Sequence, residues 1–268
     1  MKRLGIVFLV LPILAQAQVD TLRVRQWGAI RGVDGVVFTL TSPARWKGND
    51  WMKAGGVVAG TAALTLLDEP IRNLFQGKRS PFFDGVQRVV NPYGKPYGAI
   101  SIMSGMYLYG VIFQDEWAKD TGLMLFTALS SSTVVQTLFK NAIGRARPNE
   151  EFGNYEVVPF SPETAFHSLP SGHTTVAFTV SMVMARRIQS KPLKIIFYSM
   201  ASLTAMSRLY LDVHWFSDLA FGGTIAWFCA DAAIKRFEAN RYSPITRKRK
   251  MAWKVYPFPG GLTLRAKL

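Results

Sequence analysis

Two runs of 19 residues without a formal charge, 96–114 and 121–139, restrict what this chain can fold into more than any other feature. Wound as helices at about 1.5 Å per residue, each reaches roughly the 30 Å of a bilayer's hydrocarbon core. Other segments share the pattern. Residues 54–67 are apolar up to Asp68-Glu69-Pro70, residues 164–185 carry only the titratable His167 and His173, and the apolar stretches 195–207 and 219–230 are flanked by charge. Between 69 and 95, short amphipathic pieces alternate with Gly77, Pro81, Gly85 and Pro92, which reads as interfacial helices rather than a span. Residues 18–52 are polar, with turn signals at Gly28, Gly32, Gly35 and Pro43, and read as an irregular or interfacial preface. The alternation from Gly261 to Leu268 is a single strand at most, and a lone strand cannot close a barrel. The expectation is an all-α helical bundle, integral to a membrane, with five or six embedded helices.

Lys2 and Arg3 precede the apolar run Leu4 to Leu14 and the small-residue site Ala15-Gln16-Ala17. That is the layout of a secretory signal peptide with Gln18 as the mature start. The segmentation that follows is a signal peptide over 1–17, an interfacial and first apolar part over 18–95, a helical core over 96–235 and a basic tail over 236–268. In the whole chain 32 Lys and Arg face 17 acids, a net +15. Such a balance suits nucleic acid, an anionic membrane surface or a phosphorylated substrate; export and the apolar runs leave the last two and no nucleic acid partner. A single cysteine, Cys229, excludes a disulfide framework.

Charge placement also orients the chain. Arg186, Arg187, Lys191 and Lys194, and eight Lys/Arg against one Glu over 235–254, belong in the cytoplasm by the positive-inside rule. The helix ends near residues 170 and 210 then face outward, to the periplasm or exterior of a bacterial-type inner membrane. Two features oppose this scheme. Loop 115–120 should also be cytoplasmic yet holds Asp115, Glu116 and Asp120, and a cleaved signal followed by a spanning 54–67 would put 140–173 inside.

Three clusters carry chemistry. The first is Lys140-x6-Arg147-Pro148: residues seven apart on a helix share a face two turns apart, so both cations can address one anion. Gly144 and Pro148 end the helix, and the proline pushes Arg147 into an extended conformation. The second is Pro170-Ser171-Gly172-His173, directly before the helical run Thr174 to Ala185. A helix start presents unpaired amides and a positive dipole end, which bind an oxyanion. Gly172 lets the backbone approach that anion, Ser171 either caps the helix or donates to a phosphoryl oxygen, and His173 becomes a usable acid once phosphate is bound. The third is Ser207-Arg208-x5-His214-x3-Asp218. One helical turn brings the Asp218 carboxylate to the His214 imidazole, which fixes the tautomer and frees the other ring nitrogen as base or nucleophile. Arg208 beside an apolar segment is costly without an anionic partner. Alone, each cluster has an ordinary reading: a basic helix end at lipid headgroups, a Ser N-cap, a satisfied His–Asp pair. Together they describe a phosphoryl-transfer site with no set of carboxylates for a metal.

These eleven positions resemble the three-part signature of the type 2 phosphatidic acid phosphatase superfamily, which also includes vanadium haloperoxidases and class A acid phosphatases. The match runs over 79 residues, 140–218, with gaps of 21 and 33 residues, and no specified position departs from it. The resemblance implies that His214 attacks phosphorus to form a phosphohistidine, that Asp218 orients it, and that His173 protonates the leaving oxygen and then activates water. It implies that Lys140, Arg147, Arg208, the Ser171 hydroxyl and the Gly172 amide hold the equatorial oxygens, with no metal and no cofactor. It further implies inhibition by vanadate and, in the membrane branch, a phosphorylated lipid substrate: undecaprenyl diphosphate, phosphatidylglycerol phosphate, phosphatidate or a lipid A phosphate. His167 lies outside the signature and reads as a surface or substrate-rim residue, while Tyr93 and Tyr97 read as interfacial anchors. Two further readings stay open, a soluble periplasmic acid phosphatase of the same superfamily and a basic membrane-surface module that binds headgroups without turnover.

Overall fold

A computed structural model describes residues 28–77, 80–242, 252–258 and 261–267. Among them the chain forms helices α1 (Gly28–Leu40), α2 (Gly48–Leu64), α3 (Asp68–Phe75), α4 (Pro81–Gly94), α5 (Pro96–Ile112), α6 (Glu116–Ile143), α7 (Gly172–Arg187), α8 (Lys191–Tyr210) and α9 (Phe216–Tyr242). Strands β1 (Ala252–Phe258) and β2 (Gly261–Lys267) form an antiparallel hairpin pairing Ala252 with Lys267 and Phe258 with Gly261. The alternation at 261–268 therefore has a partner strand, in a stretch the sequence presents as a basic tail. The expected signal peptide and its cleavage site lie outside the described residues.

Local signals set the helix ends. Asp115 caps α6, its carboxylate accepting from the Ala118 amide at 3.0 Å, and Pro96 opens α5 after an extended Lys95. Gly144, at φ +63°, closes α6 in the left-handed conformation that L side chains resist. The preface read over 18–52 is corrected by α1 and the start of α2. Gly32 and Gly35 are not turn residues but contact points within α1, where an added Cβ would lie 3.0 Å from Phe126 and 2.8 Å from Thr127 of α6. A glycine that brings two helices together and one that permits a turn leave the same mark in a sequence.

The interior of the bundle mixes apolar side chains such as Leu125, Val180 and Phe237 with many small and hydroxylic ones. Thr127, Ser132, Thr175, Thr179 and Ser181 are fully buried, and Thr179 donates to Ser132 at 3.2 Å across the α6–α7 seam. Further large apolar residues point outward, among them Ile112 (69% exposed), Ile195 (66%) and Leu138 (64%). Small residues that bring backbones close and hydroxyls that bond between helices are how helices associate in lipid, where apolar bulk gains nothing from being inside. Of the described helices, α6 alone is both long and apolar enough to cross a membrane by length and composition. Tyr93, read as an interfacial anchor, is buried in the bundle and shares a 2.7 Å hydrogen bond with Ser181, whereas Tyr97 is exposed.

The bundle has two poles. Lys140 is at the end of α6, Ser171 at the start of α7, Arg208 at the end of α8 and Asp218 at the start of α9, so four successive antiparallel helices turn one pole to the signature residues. At the other pole Arg187 donates to Thr121 at 3.0 Å. The acids of loop 115–120 are absorbed here: Asp115 is a cap, Asp120 pairs with Arg31 at 2.9 Å, and Glu116 pairs with Lys119. The α1–α2 turn lies on this side too, with Arg236 over the Phe38 ring and Trp46 beside Phe228 of α9.

Candidate active site

Gly144 stops α6 one turn after Lys140, so Arg147 reaches the site from the extended segment that follows (φ −81°, ψ 152°) and not from a shared helical face. The proline explains the extension, as expected; the shared helical face is corrected. The two cations nevertheless converge, because Lys140 Nζ and an Arg147 amine both donate to the His167 carbonyl, at 2.8 and 3.4 Å. Arg147 also donates to the Thr164 carbonyl at 2.9 Å. His167 thus borders the site through its backbone, while its ring is tied to the Ser161 carbonyl at 2.9 Å.

Arg208 is buried, with Asn91 of α4 accepting from it at 3.0 Å and Ser207 at 2.9 Å. Among the described residues none of Lys140, Arg147 and Arg208 has a carboxylate partner; carbonyls, an amide and a hydroxyl take their hydrogen bonds. Cations held this way, one buried and two half-buried, favour an anion among them. The His173 ring feels the charges of Arg208, Lys95 and Lys140 and lies near His214, so both histidines share this cationic surround. Lys95 is a cation the sequence patterns did not single out.

Ser171 precedes α7 without capping it through its side chain; its Oγ accepts from the Thr174 hydroxyl at 2.9 Å, and its amide donates to the Asp218 carbonyl at 3.1 Å. Gly172 brings the α7 start against Gln136 of α6, whose Oε1 would lie 3.0 Å from an added Cβ. That oxygen, His173 Nε2 and His214 Nδ1 are buried with no hydrogen-bond partner among the described residues. Unsatisfied buried polar atoms are costly and rare, and here those of Gln136 and His173 meet at the start of α7.

Over residues 121–242 the chain matches the PAP2 superfamily. It is 38% identical over 120 residues to the lipid A 1-phosphatase of Rhizobium etli, covering 42% of this chain and 49% of that protein, so it spans about half the length of this relative. With phosphatidylglycerophosphatase B of Bacillus subtilis it shares 26% identity over 196 residues, 66% of this chain and 89% of that one. In fold it is similar to the solved transmembrane PAP2-type phosphatidylglycerolphosphate phosphatase from Bacillus subtilis, with a TM-score of 0.50 at 23% identity over 82% of this chain and 99% of that one.

Within this matched segment, His214 sits in the turn between α8 and α9, not inside a helix. Its Nδ1 faces Asp218 Oδ2 at 3.5 Å, beyond a full hydrogen bond. Burial brings the imidazole down to about 4, against the opposing pull of the Asp218 carboxylate. Asp218 is occupied elsewhere: Oδ1 accepts from Arg145 at 2.8 Å, and Oδ2 accepts from the Trp215 amide at 2.9 Å and from the Ser168 hydroxyl. Arg145, two residues before Arg147, is buried and also binds Asp68 at 2.7 Å and Ser217 at 2.7 Å. Arg145, Asp68 and Gln136 belong to none of the three sequence clusters. The reasoning applied to Arg208 would have found Asp68, an acid that closes an apolar stretch and so needs a cation nearby.

Proposed function

We propose that this protein is a membrane lipid phosphatase of the PAP2 type, working through a phosphohistidine on His214. The observation that carries the reading is the meeting of three cations without carboxylate partners, Arg208 buried and Lys140 and Arg147 half-buried, and two histidines with orphaned ring nitrogens at one pole of the bundle. With Nδ1 turned to Asp218, the other ring nitrogen of His214 is the attacking atom. It forms a bond to phosphorus as the bond to the lipid oxygen breaks, and His173 supplies the proton that the leaving oxygen takes. His173 then removes a proton from water, which attacks the phosphohistidine and releases inorganic phosphate, returning His214 to its starting state. Lys140, Arg147, Arg208, the Ser171 hydroxyl and the Gly172 amide hold the equatorial oxygens as charge spreads over them, with neither metal nor cofactor taking part.

The substrate is a lipid phosphate monoester or diphosphate. Similarity to a lipid A 1-phosphatase and to a phosphatidylglycerophosphatase supports a glycolipid or glycerolipid phosphate within that class. The outward-facing apolar residues favour a membrane enzyme over a soluble periplasmic phosphatase. The reading places the site at the outer face of a bacterial-type inner membrane, opposite the basic residues that end α7 and begin α8. With the α1–α2 turn on the same side as the end of α9, the reading gives α2 and α5 to α9 six passes between the poles, a scheme that closes when residues 1–17 are retained rather than cleaved.

The test is phosphate release by the detergent-purified full chain, with chelator present. Undecaprenyl diphosphate, phosphatidylglycerol phosphate, phosphatidate, a 1-phosphorylated lipid A and a soluble aryl phosphate are offered in turn, with His214→Ala alongside. Turnover of a lipid that vanishes in the variant is expected. Turnover of the aryl phosphate alone supports the soluble-phosphatase reading, and release that survives His214→Ala refutes the mechanism.

A further inference from the structure

Asp218 does not hold His214 firmly, since both its oxygens are engaged by Arg145, Trp215 and Ser168 and the imidazole stands 3.5 Å away. Of the turn 211–215 Asp218 holds the Trp215 amide, at 2.9 Å, and further contacts grip the rest. That turn is gripped on both sides by α3, which lies outside the segment matching the PAP2 family. Two residues before His214, Asp212 stands at φ +59° and accepts two parallel hydrogen bonds from the Arg72 guanidinium, both 2.8 Å. Three residues after it, Ser217 gives its amide and hydroxyl to Asp68, at 2.8 and 2.7 Å. Asp68 and Arg72 are one helical turn apart, so a single face of α3 holds both flanks. Between them Trp215 is fully buried, with the Arg72 and Arg145 guanidinium carbons each 5.5 Å from its ring and its indole N–H given to the Ala146 carbonyl at 2.9 Å.

We infer that α3 is a positioning element for the nucleophile: the Arg72–Asp212 and Asp68–Ser217 contacts clamp the turn that aims His214 at phosphorus. The inference rests on the phosphohistidine reading above. A bidentate guanidinium–carboxylate pair fixes direction as well as distance, which an in-line attack requires and simple anion binding does not.

That difference gives the test, by titration calorimetry on the detergent-purified full chain with two probes. Orthovanadate mimics five-coordinate phosphorus and needs the aimed imidazole; inorganic phosphate needs the cations alone. The wild-type chain is expected to bind orthovanadate at least about a hundredfold more tightly than phosphate. Arg72→Gln and Asp212→Asn, the latter keeping a residue that accepts positive φ, are each expected to weaken orthovanadate about tenfold while phosphate stays within about twofold. The double variant should lose no more than either single one, and Arg72→Lys should recover part of the loss. Unchanged orthovanadate affinity in both single variants overturns the clamp, as does an equal loss of both probes with a lower melting temperature. A vanadate preference that disappears in His214→Ala but survives Arg72→Gln removes the clamp and leaves the mechanism standing. A wild-type chain with no such preference removes both.

Discussion

The two sides of His214 are built on opposite rules. Toward α3 and Arg145 every polar group has partners: Asp68, Asp218, Ser217 and Arg145 bind one another within 2.7–2.8 Å, all of them buried. Toward the start of α7, His173 Nε2 and Gln136 Oε1 are buried without partners, and three cations rest on neutral groups. A protein that can satisfy a dense buried network on one side has no general difficulty satisfying polar atoms. The open side is therefore a demand for a ligand, and the closed side is the support that lets so much unpaired polarity persist.

The comparison is broken most severely by substitutions that act on one side only. His214→Ala removes the nucleophile and is expected to lower turnover by about a thousandfold or more while the melting temperature in detergent stays near wild type. A turnover loss matched by loss of folded protein would show that the sides are not separable. Arg145→Met cuts the closed side instead. It leaves the Asp68 and Asp218 carboxylates buried without their shared cation, and removing one partner from a buried ion pair costs ~3–5 kcal/mol. Denaturant midpoints in detergent should fall accordingly, and an unshifted midpoint would mean that the network contributes nothing to the fold.

The open side was legible in the sequence and the closed side was not. Lys140, Arg147, Ser171, Gly172, His173, Arg208 and His214, with Asp218 as the one closed-side residue among them, sit at fixed spacings over 79 residues, because a small anion fixes where its partners must be. Asp68 meets Arg145 from 77 residues away, and any acid placed there by another helix could have done the same. Local geometry was misread where the chain leaves the helix: His214 and Asp218 were expected within one helical turn, yet α9 begins only at Phe216. The helices α5 to α9 follow from apolar length, whereas α1 was hidden because its glycines serve packing against α6.

Gln136 sharpens the comparison, since it belongs to the open side without belonging to the signature. Gln136→Leu keeps bulk against Gly172 and removes the amide, and losing one hydrogen bond to a charged group should lower kcat/KM about tenfold. Unchanged kinetics would assign the amide to packing alone.

The smallest expected effect is a displaced pH limb, and it bears on how the two sides meet. An ordinary imidazole titrates near 6.5, but burial brings His214 down to about 4. Between those values the unfolded chain takes up a proton at this residue and the folded chain does not. Stability therefore falls as pH drops through the window, and the neutral nucleophile persists down to its lower end. Because kcat/KM reports ionisations of the free enzyme, its acid limb should lie near pH 4 rather than 6.5. The position depends on the 3.5 Å gap between Nδ1 and the Asp218 carboxylate. A limb found near 6.5 would mean that Asp218 closes that gap in solution and stabilises an imidazolium, joining the satisfied network to the open site through a full hydrogen bond. A limb near 4 keeps them apart: Asp218 then serves the fold first and steadies His214 only from a distance.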